Sequence, residues 1–126
     1  MKIFIIDDEE VSLFLSQRML LIQEEDAEIS LFLSAEKALK VLREGKPEDS
    51  PDVILLDINM PVIDGWKFLE HFTSMEELIQ RKCSIYVLTS SLDASDEEAV
   101  KNHPSVTSII HKPLKIEDIK LLFSHS

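Results

Sequence analysis

The chain has 126 residues, 44% of them hydrophobic, and a net charge of −11 from 24 acidic and 13 basic side chains. That length fits one domain with a single core, and the charge argues against nucleic acid and anionic membrane as direct partners. The single cysteine, Cys83, excludes an internal disulfide and fits a reducing compartment, and no apolar run approaches the roughly 20 residues of a membrane span. The expectation is one soluble, cytoplasmic domain over residues 1–126, with no room for an output domain.

Residues 2–7 read as a strand whose apolar run stops at Asp7-Asp8, without the cleavage site of a signal peptide. Residues 9–24 predict a helix with Val11, Leu15, Met19 and Ile22 on its inward face and Leu13 and Phe14 off that stripe. Residues 28–33 alternate as a strand. Ser34 then caps a helix with Leu39 and Leu42 inward and Gly45 as its stop. Residues 46–51 form a polar loop held apart from its neighbours by Pro47 and Pro51. The apolar run Val53-Ile54-Leu55-Leu56 reads as a buried strand ending at Asp57. Asp64 starts a helix bearing Trp66, Leu69 and Phe72, with a continuation through Leu78 left open. Cys83 is a small residue before a strand at 85–88, which ends in Thr89-Ser90-Ser91. A short acidic helix over 93–101 precedes a strand at 106–110, which runs into His111-Lys112-Pro113. A last helix turns Ile116, Ile119 and Leu122 inward.

Five β-α units in series predict an α/β fold, with a doubly wound five-stranded parallel sheet and helices on both faces. Ligands of such sheets sit beyond the carboxyl ends of the strands. Asp7, Asp8, Asp57 and Lys112 all fall at strand ends. Clustered carboxylates repel one another, by roughly 4 kcal/mol for a pair about 4 Å apart at an effective dielectric near 20. A hard divalent cation relieves this best, and oxygen ligands favour Mg²⁺. With only two glycines, Gly45 and Gly65, the chain has no Gly-rich nucleotide cradle. A carboxylate nucleophile, a metal, a lysine and the Thr89 hydroxyl together describe an aspartyl-phosphate site.

On Asp7-Asp8, the segment Asp57-Ile58-Asn59-Met60-Pro61-Val62-Ile63-Asp64-Gly65, Thr89 and Lys112-Pro113, the whole chain resembles a stand-alone response-regulator receiver domain of two-component signalling. The resemblance implies the flavodoxin-like (βα)5 sheet order 2-1-3-4-5, a receiver arrangement the general rule for such sheets also describes. It implies Asp57 as phospho-acceptor from a histidine kinase or histidine-containing phosphotransfer protein, in a signal or a phosphorelay that ends on an unknown downstream protein. Asp8, Asp57 and the Asn59 backbone carbonyl would hold Mg²⁺, with Asp7 reaching it through water. Lys112 would pair with the phosphoryl group, Thr89 would move to bond it, and the Lys112-Pro113 bond would be cis. The protein would be a signalling phospho-acceptor rather than an enzyme, assisting only its own phosphorylation and dephosphorylation.

Two positions depart from the family pattern. Ile109 stands where an aromatic residue usually swings inward, and a β-branched side chain is stiff at χ1 with no ring to swing. Ser90 stands where alanine or glycine is usual. The output face is expected near Ser95, Glu98, Lys101, His103 and His111. Leu13 and Phe14 read either as ordinary breadth of a buried face or as a docking patch for the helices of the phosphodonor. The four histidines, His71, His103, His111 and His125, lack metal-ligand spacing. Trp66 reads as packing. A phosphatase with an aspartate nucleophile is the enzymatic rival, but it needs a second acid two residues on, where this chain has Asn59.

Overall fold

Strand residues alternate between two apolar faces, and each face recruits its own helices. The structure is a computed structural model that describes residues 1–58, 65–75, 77–90 and 94–124, the side chains of 94–96 excepted. Its strands are β1 (Lys2–Ile6), β2 (Glu28–Phe32), β3 (Val53–Asp57), β4 (Ser84–Thr89) and β5 (Val106–His111). Its helices are α1 (Glu10–Gln23), α2 (Ala35–Glu44), α3 (Gly65–Thr73), α4 (Glu77–Lys82), α5 (Ala94–Lys101) and α6 (Ile116–Ser124). All strand pairs are parallel, in the order β2-β1-β3-β4-β5, as the sequence reading expected.

One face of the sheet, with Phe4, Ile6, Ile54, Leu56, Ile85 and Val87, packs under α2 and α3, which supply Leu39, Leu42, Phe68, Leu69 and Phe72. The other, with Ile3, Ile5, Val53, Leu55, Tyr86 and Leu88, packs under α1 and α6 through Leu13, Leu20, Ile119 and Leu122. Every residue of β3 is buried. This is why its sequence is an unbroken apolar run rather than an alternating one.

Several local expectations hold. Ser34 caps α2, its hydroxyl accepting from the Lys37 N–H at 3.3 Å. Gly45 ends that helix in an extended conformation, φ −82°, rather than a left-handed one. Cys83 is buried just before β4, and burial pushes its thiol up to about 12, so it is a packing residue. The loop over 46–51 contains one 3₁₀ turn at Pro47–Asp49.

Two expectations are corrected, and the open continuation is decided. The helix after Asp57 does not run through Leu78. It stops at Thr73 and resumes as α4, because the Thr73 and Ser74 hydroxyls donate to the Glu70 and His71 carbonyls at 2.7 Å each. The Gln80 side-chain amide also donates to the Thr73 and Met75 carbonyls, at 3.3 and 2.7 Å. Such local partners compete with the helical ladder. The expected start at Asp64 lies outside the described residues, as does Asp93 at the start of α5.

Helix α1 is rotated relative to its predicted stripe. Val11, Leu15 and Ile22 are 71%, 55% and 75% exposed, Met19 is half-buried, and Leu13 and Leu20 face the sheet. The helix is apolar on nearly every side, with Arg18 its one charge between residues 11 and 23, so periodicity cannot choose a face. The choice is made at its N-terminus, where the Glu9 N–H and the Ser12 hydroxyl both bond the Asp7 carboxylate. In α6, Ile116 is 48% exposed at the first helical position, while Ile119 and Leu122 are buried as expected.

Candidate functional site

Register brings the strand-end residues to one edge of the sheet. Ile6 lies beside Leu56 in the β1–β3 pairing, which sets Asp7 level with Asp57. Leu88 pairs with Asp57 across β3–β4, and Thr89 pairs with His111 across β4–β5, so Thr89 lies one residue and Lys112 two residues beyond the level of Asp57, at the same edge. The Ile58 N–H bonds the Leu88 carbonyl at 3.2 Å and the Lys112 N–H bonds the Thr89 carbonyl at 2.8 Å. These bonds fasten the loops behind the acids. The Lys112-Pro113 peptide is cis.

Asp7, Asp8 and Asp57 each offer a carboxylate oxygen, all within 4.8 Å of one another. Asp7 and Asp57 are buried and Asp8 is exposed. Lys112 Nζ lies 2.8 Å from Asp7 Oδ2 and 3.6 Å from Asp57 Oδ2. Three carboxylates against one ammonium leave a formal charge of −2, which is the charge a divalent cation would neutralise. An all-oxygen donor set of this kind suits a hard cation such as Mg²⁺.

Burial alone would raise the Asp7 pKa. Hydrogen bonds from Lys112, Ser12 and the Glu9 backbone outweigh it and hold the carboxyl below its ordinary value. Burial pulls Lys112 down in turn, but the Asp7 hydrogen bond and the nearby Asp57 charge carry it above its ordinary value. Both groups are therefore ionised at neutral pH. Thr89 is fully buried, and its Oγ1 has no hydrogen-bond partner among the described residues. A buried hydroxyl without a partner costs about 1–3 kcal/mol, and here it stands at the end of β4, one residue beyond the partner of Asp57 in the β3–β4 register.

Gly65, the first residue of α3, lies against the end of β3. Its N–H bonds the Ile58 carbonyl at 3.1 Å. A Cβ at this position would lie 2.6 Å from Ile58 Cα and 3.1 Å from the Asp57 carbonyl oxygen. Glycine is required here by this close approach.

The structure thus brings Asp7, Asp8, Asp57, Thr89 and Lys112 together, while Asn59 and Ser91 lie outside the described residues. Ile109 is half-buried against the α2–α3 face. Of the expected output residues, Lys101 and His111 both approach Glu97, at 3.4 and 3.6 Å, which links α5 to β5. His103 Nδ1 accepts from the Ser105 N–H at 3.1 Å, Glu98 is exposed, and the Ser95 side chain is outside the described set along with His125. Sequence reasoning missed Glu97 and Ser12. Ser12 donates to Asp7 Oδ2 at 2.7 Å; its signal was a hydroxyl in the first turn of a helix that begins just after a buried acid.

A family model described as the response regulator receiver domain matches residues 3–123. A two-component response regulator of Arabidopsis thaliana is 26% identical over 126 residues, 99% of this chain but 22% of its own length. This chain therefore spans about a fifth of that relative. A response regulator receiver protein from Dyadobacter fermentans superposes with a TM-score of 0.88 at 31% identity, covering 98% of this chain and 95% of its own. A two-component response regulator from Cytophaga hutchinsonii gives 0.89 at 26% identity, covering 98% and 94%.

Proposed function

The chain belongs to the response regulator receiver family, whose members are phospho-acceptors of two-component signalling, and from that premise we propose that Asp57 accepts a phosphoryl group from a phosphohistidine. The donor is a histidine kinase or a histidine-containing phosphotransfer protein. The observation that carries this reading is the formal −2 pocket around a strand-end carboxylate, with the Lys112 ammonium 3.6 Å away.

An Asp57 carboxylate oxygen attacks the phosphorus, the phosphorus–nitrogen bond breaks, and an acyl phosphate forms as the imidazole leaves. Asp8, Asp57 and the Asn59 carbonyl would hold Mg²⁺, which when bound offsets the charge of the phosphoryl oxygens. Asp7 suits a water-mediated role, because three groups already donate to its oxygens. Lys112 shifts from Asp7 toward the phosphoryl group, and Thr89 turns its buried hydroxyl to a phosphoryl oxygen. The same groups serve hydrolysis, in which water attacks the phosphorus, the Asp57 carboxylate leaves and inorganic phosphate is released, so the protein assists its own dephosphorylation.

Phosphorylation replaces the single charge of the Asp57 carboxylate with a phosphoryl group carrying about −1.5 to −2 and three acceptor oxygens. The Lys112 and Thr89 loops carry the change to α5 and β5, where Glu97, Lys101 and His111 form the link to an output partner. Ile109 takes no part as a swinging ring. The outward face of α1, with Val11, Phe14, Leu15 and Ile22 exposed, supports a docking role toward donor helices. A groove lined by Leu15, Met19, Pro113 and Leu114 joins that face to Lys112.

Beryllofluoride with Mg²⁺ imitates the acyl phosphate, and amide NMR shifts should then spread over residues 89–112. Shifts confined to the neighbours of Asp57 would remove the α5–β5 output reading.

A further inference from the structure

Asp7 spends its hydrogen-bonding capacity in an ordered way. Oδ2 accepts from Ser12 Oγ at 2.7 Å and from Lys112 Nζ at 2.8 Å, and Oδ1 accepts from the Glu9 N–H at 3.0 Å. A carboxylate has about four acceptor positions, so roughly one remains, on Oδ1. The carboxylate torsion of an aspartate is broad and nearly two-fold. Without the Ser12 hydroxyl, the orientation of the carboxylate would rest on two donors, the Glu9 N–H on Oδ1 and the ammonium of the long Lys112 side chain on Oδ2.

We infer that Ser12 is a positioning residue for the acid pocket: its hydroxyl locks the Asp7 carboxylate so that Oδ2 holds Lys112 and the remaining acceptor position on Oδ1 stays open to the cation site. The inference rests on reading the three aspartates as a cation site and adds a residue that touches neither cation nor phosphoryl group. Ser12 also belongs to α1, between the exposed Val11 and the buried Leu13. The lock is therefore built into the helix whose outward face is apolar. A capping role alone would leave the pocket indifferent to this hydroxyl, since the Glu9 N–H already bonds Oδ1.

Two readouts on the full chain separate these roles. The first is Mn²⁺ affinity by loss of the free-ion electron paramagnetic resonance signal. The second, in metal-free protein, is hydrogen exchange of the Lys112 ammonium by nitrogen-15 NMR. Ser12→Ala should weaken Mn²⁺ binding about three- to tenfold, below the roughly 10–100-fold typical of direct outer partners of metal ligands. It should also speed Lys112 ammonium exchange several-fold, and Ser12→Thr should restore both. Wild-type values for Ser12→Ala in either readout overturn the inference, as does failure of Ser12→Thr to rescue while its thermal midpoint matches that of wild type. If wild-type protein itself binds no Mn²⁺, the cation-site reading fails, and Lys112 exchange alone then judges Ser12.

Discussion

Asp57→Asn should make the metal-free protein more stable. The substitution removes two carboxylate repulsions at separations within 4.8 Å, each of about 3–4 kcal/mol at an effective dielectric near 20. It also removes one attraction to Lys112 at 3.6 Å, of about 4–5 kcal/mol on the same scale. Among these three interactions the balance favours the variant by about 2–3 kcal/mol, and the exposure of Asp8 reduces this to roughly 1–2 kcal/mol through solvent screening. At this chain length that is about 3–8 °C in thermal midpoint. The assay is urea and thermal unfolding in chelator, repeated with excess Mg²⁺. Wild type should gain stability with Mg²⁺ by mass action and the variant should gain little. A variant less stable than wild type in chelator would refute the reasoning, because Asp57 would then be holding the fold together rather than straining it.

Other substitutions probe separate parts of the account. Gly65→Ala should cost about 1–2 kcal/mol, since the new methyl meets the Ile58 backbone at 2.6 Å and overpacking outweighs the gain in helix propensity; unchanged urea midpoints would contradict that close approach. Tyr86→Phe should be neutral or stabilising by about 1 kcal/mol, because the buried Tyr86 hydroxyl has no partner among the described residues, and a drop in thermal midpoint would reveal one. Leu13→Asp places a charge in the core and should prevent folding, whereas Leu15→Asp, on the exposed face, should fold and slow transfer from a histidine kinase. Circular dichroism and transfer kinetics check both, and an unimpaired Leu15→Asp removes the docking role of α1.

The parts of the fold legible in the sequence were those where burial leaves one solution. Val53 to Leu56 can only be a strand covered on both faces, so the position of Asp57 followed, and with it the level of Asp7, Thr89 and Lys112. Sheet order followed from the family resemblance and the alternation of elements. The face of α1 was not legible, because Leu13 and Leu20 compete with Val11, Leu15 and Ile22 on a helix apolar almost all round. Its orientation depends on Ser12 and Glu9 meeting Asp7, a contact set by the loop after β1. The α3–α4 break depends likewise on Gln80 reaching back to carbonyls that periodicity does not see. The division of labour within Asp7 needed coordinates, since it concerns single oxygens.

The central claim is that Asp57 is the nucleophile, and chemical location of the phosphoryl group tests it most directly. Protein treated with acetyl phosphate and Mg²⁺ is reduced with borohydride, which converts an aspartyl phosphate to homoserine, and is then mapped by peptide mass spectrometry. The account predicts homoserine at position 57, dependent on Mg²⁺ and absent from Asp57→Asn. Homoserine at another aspartate, or at none with the pocket intact, would contradict it.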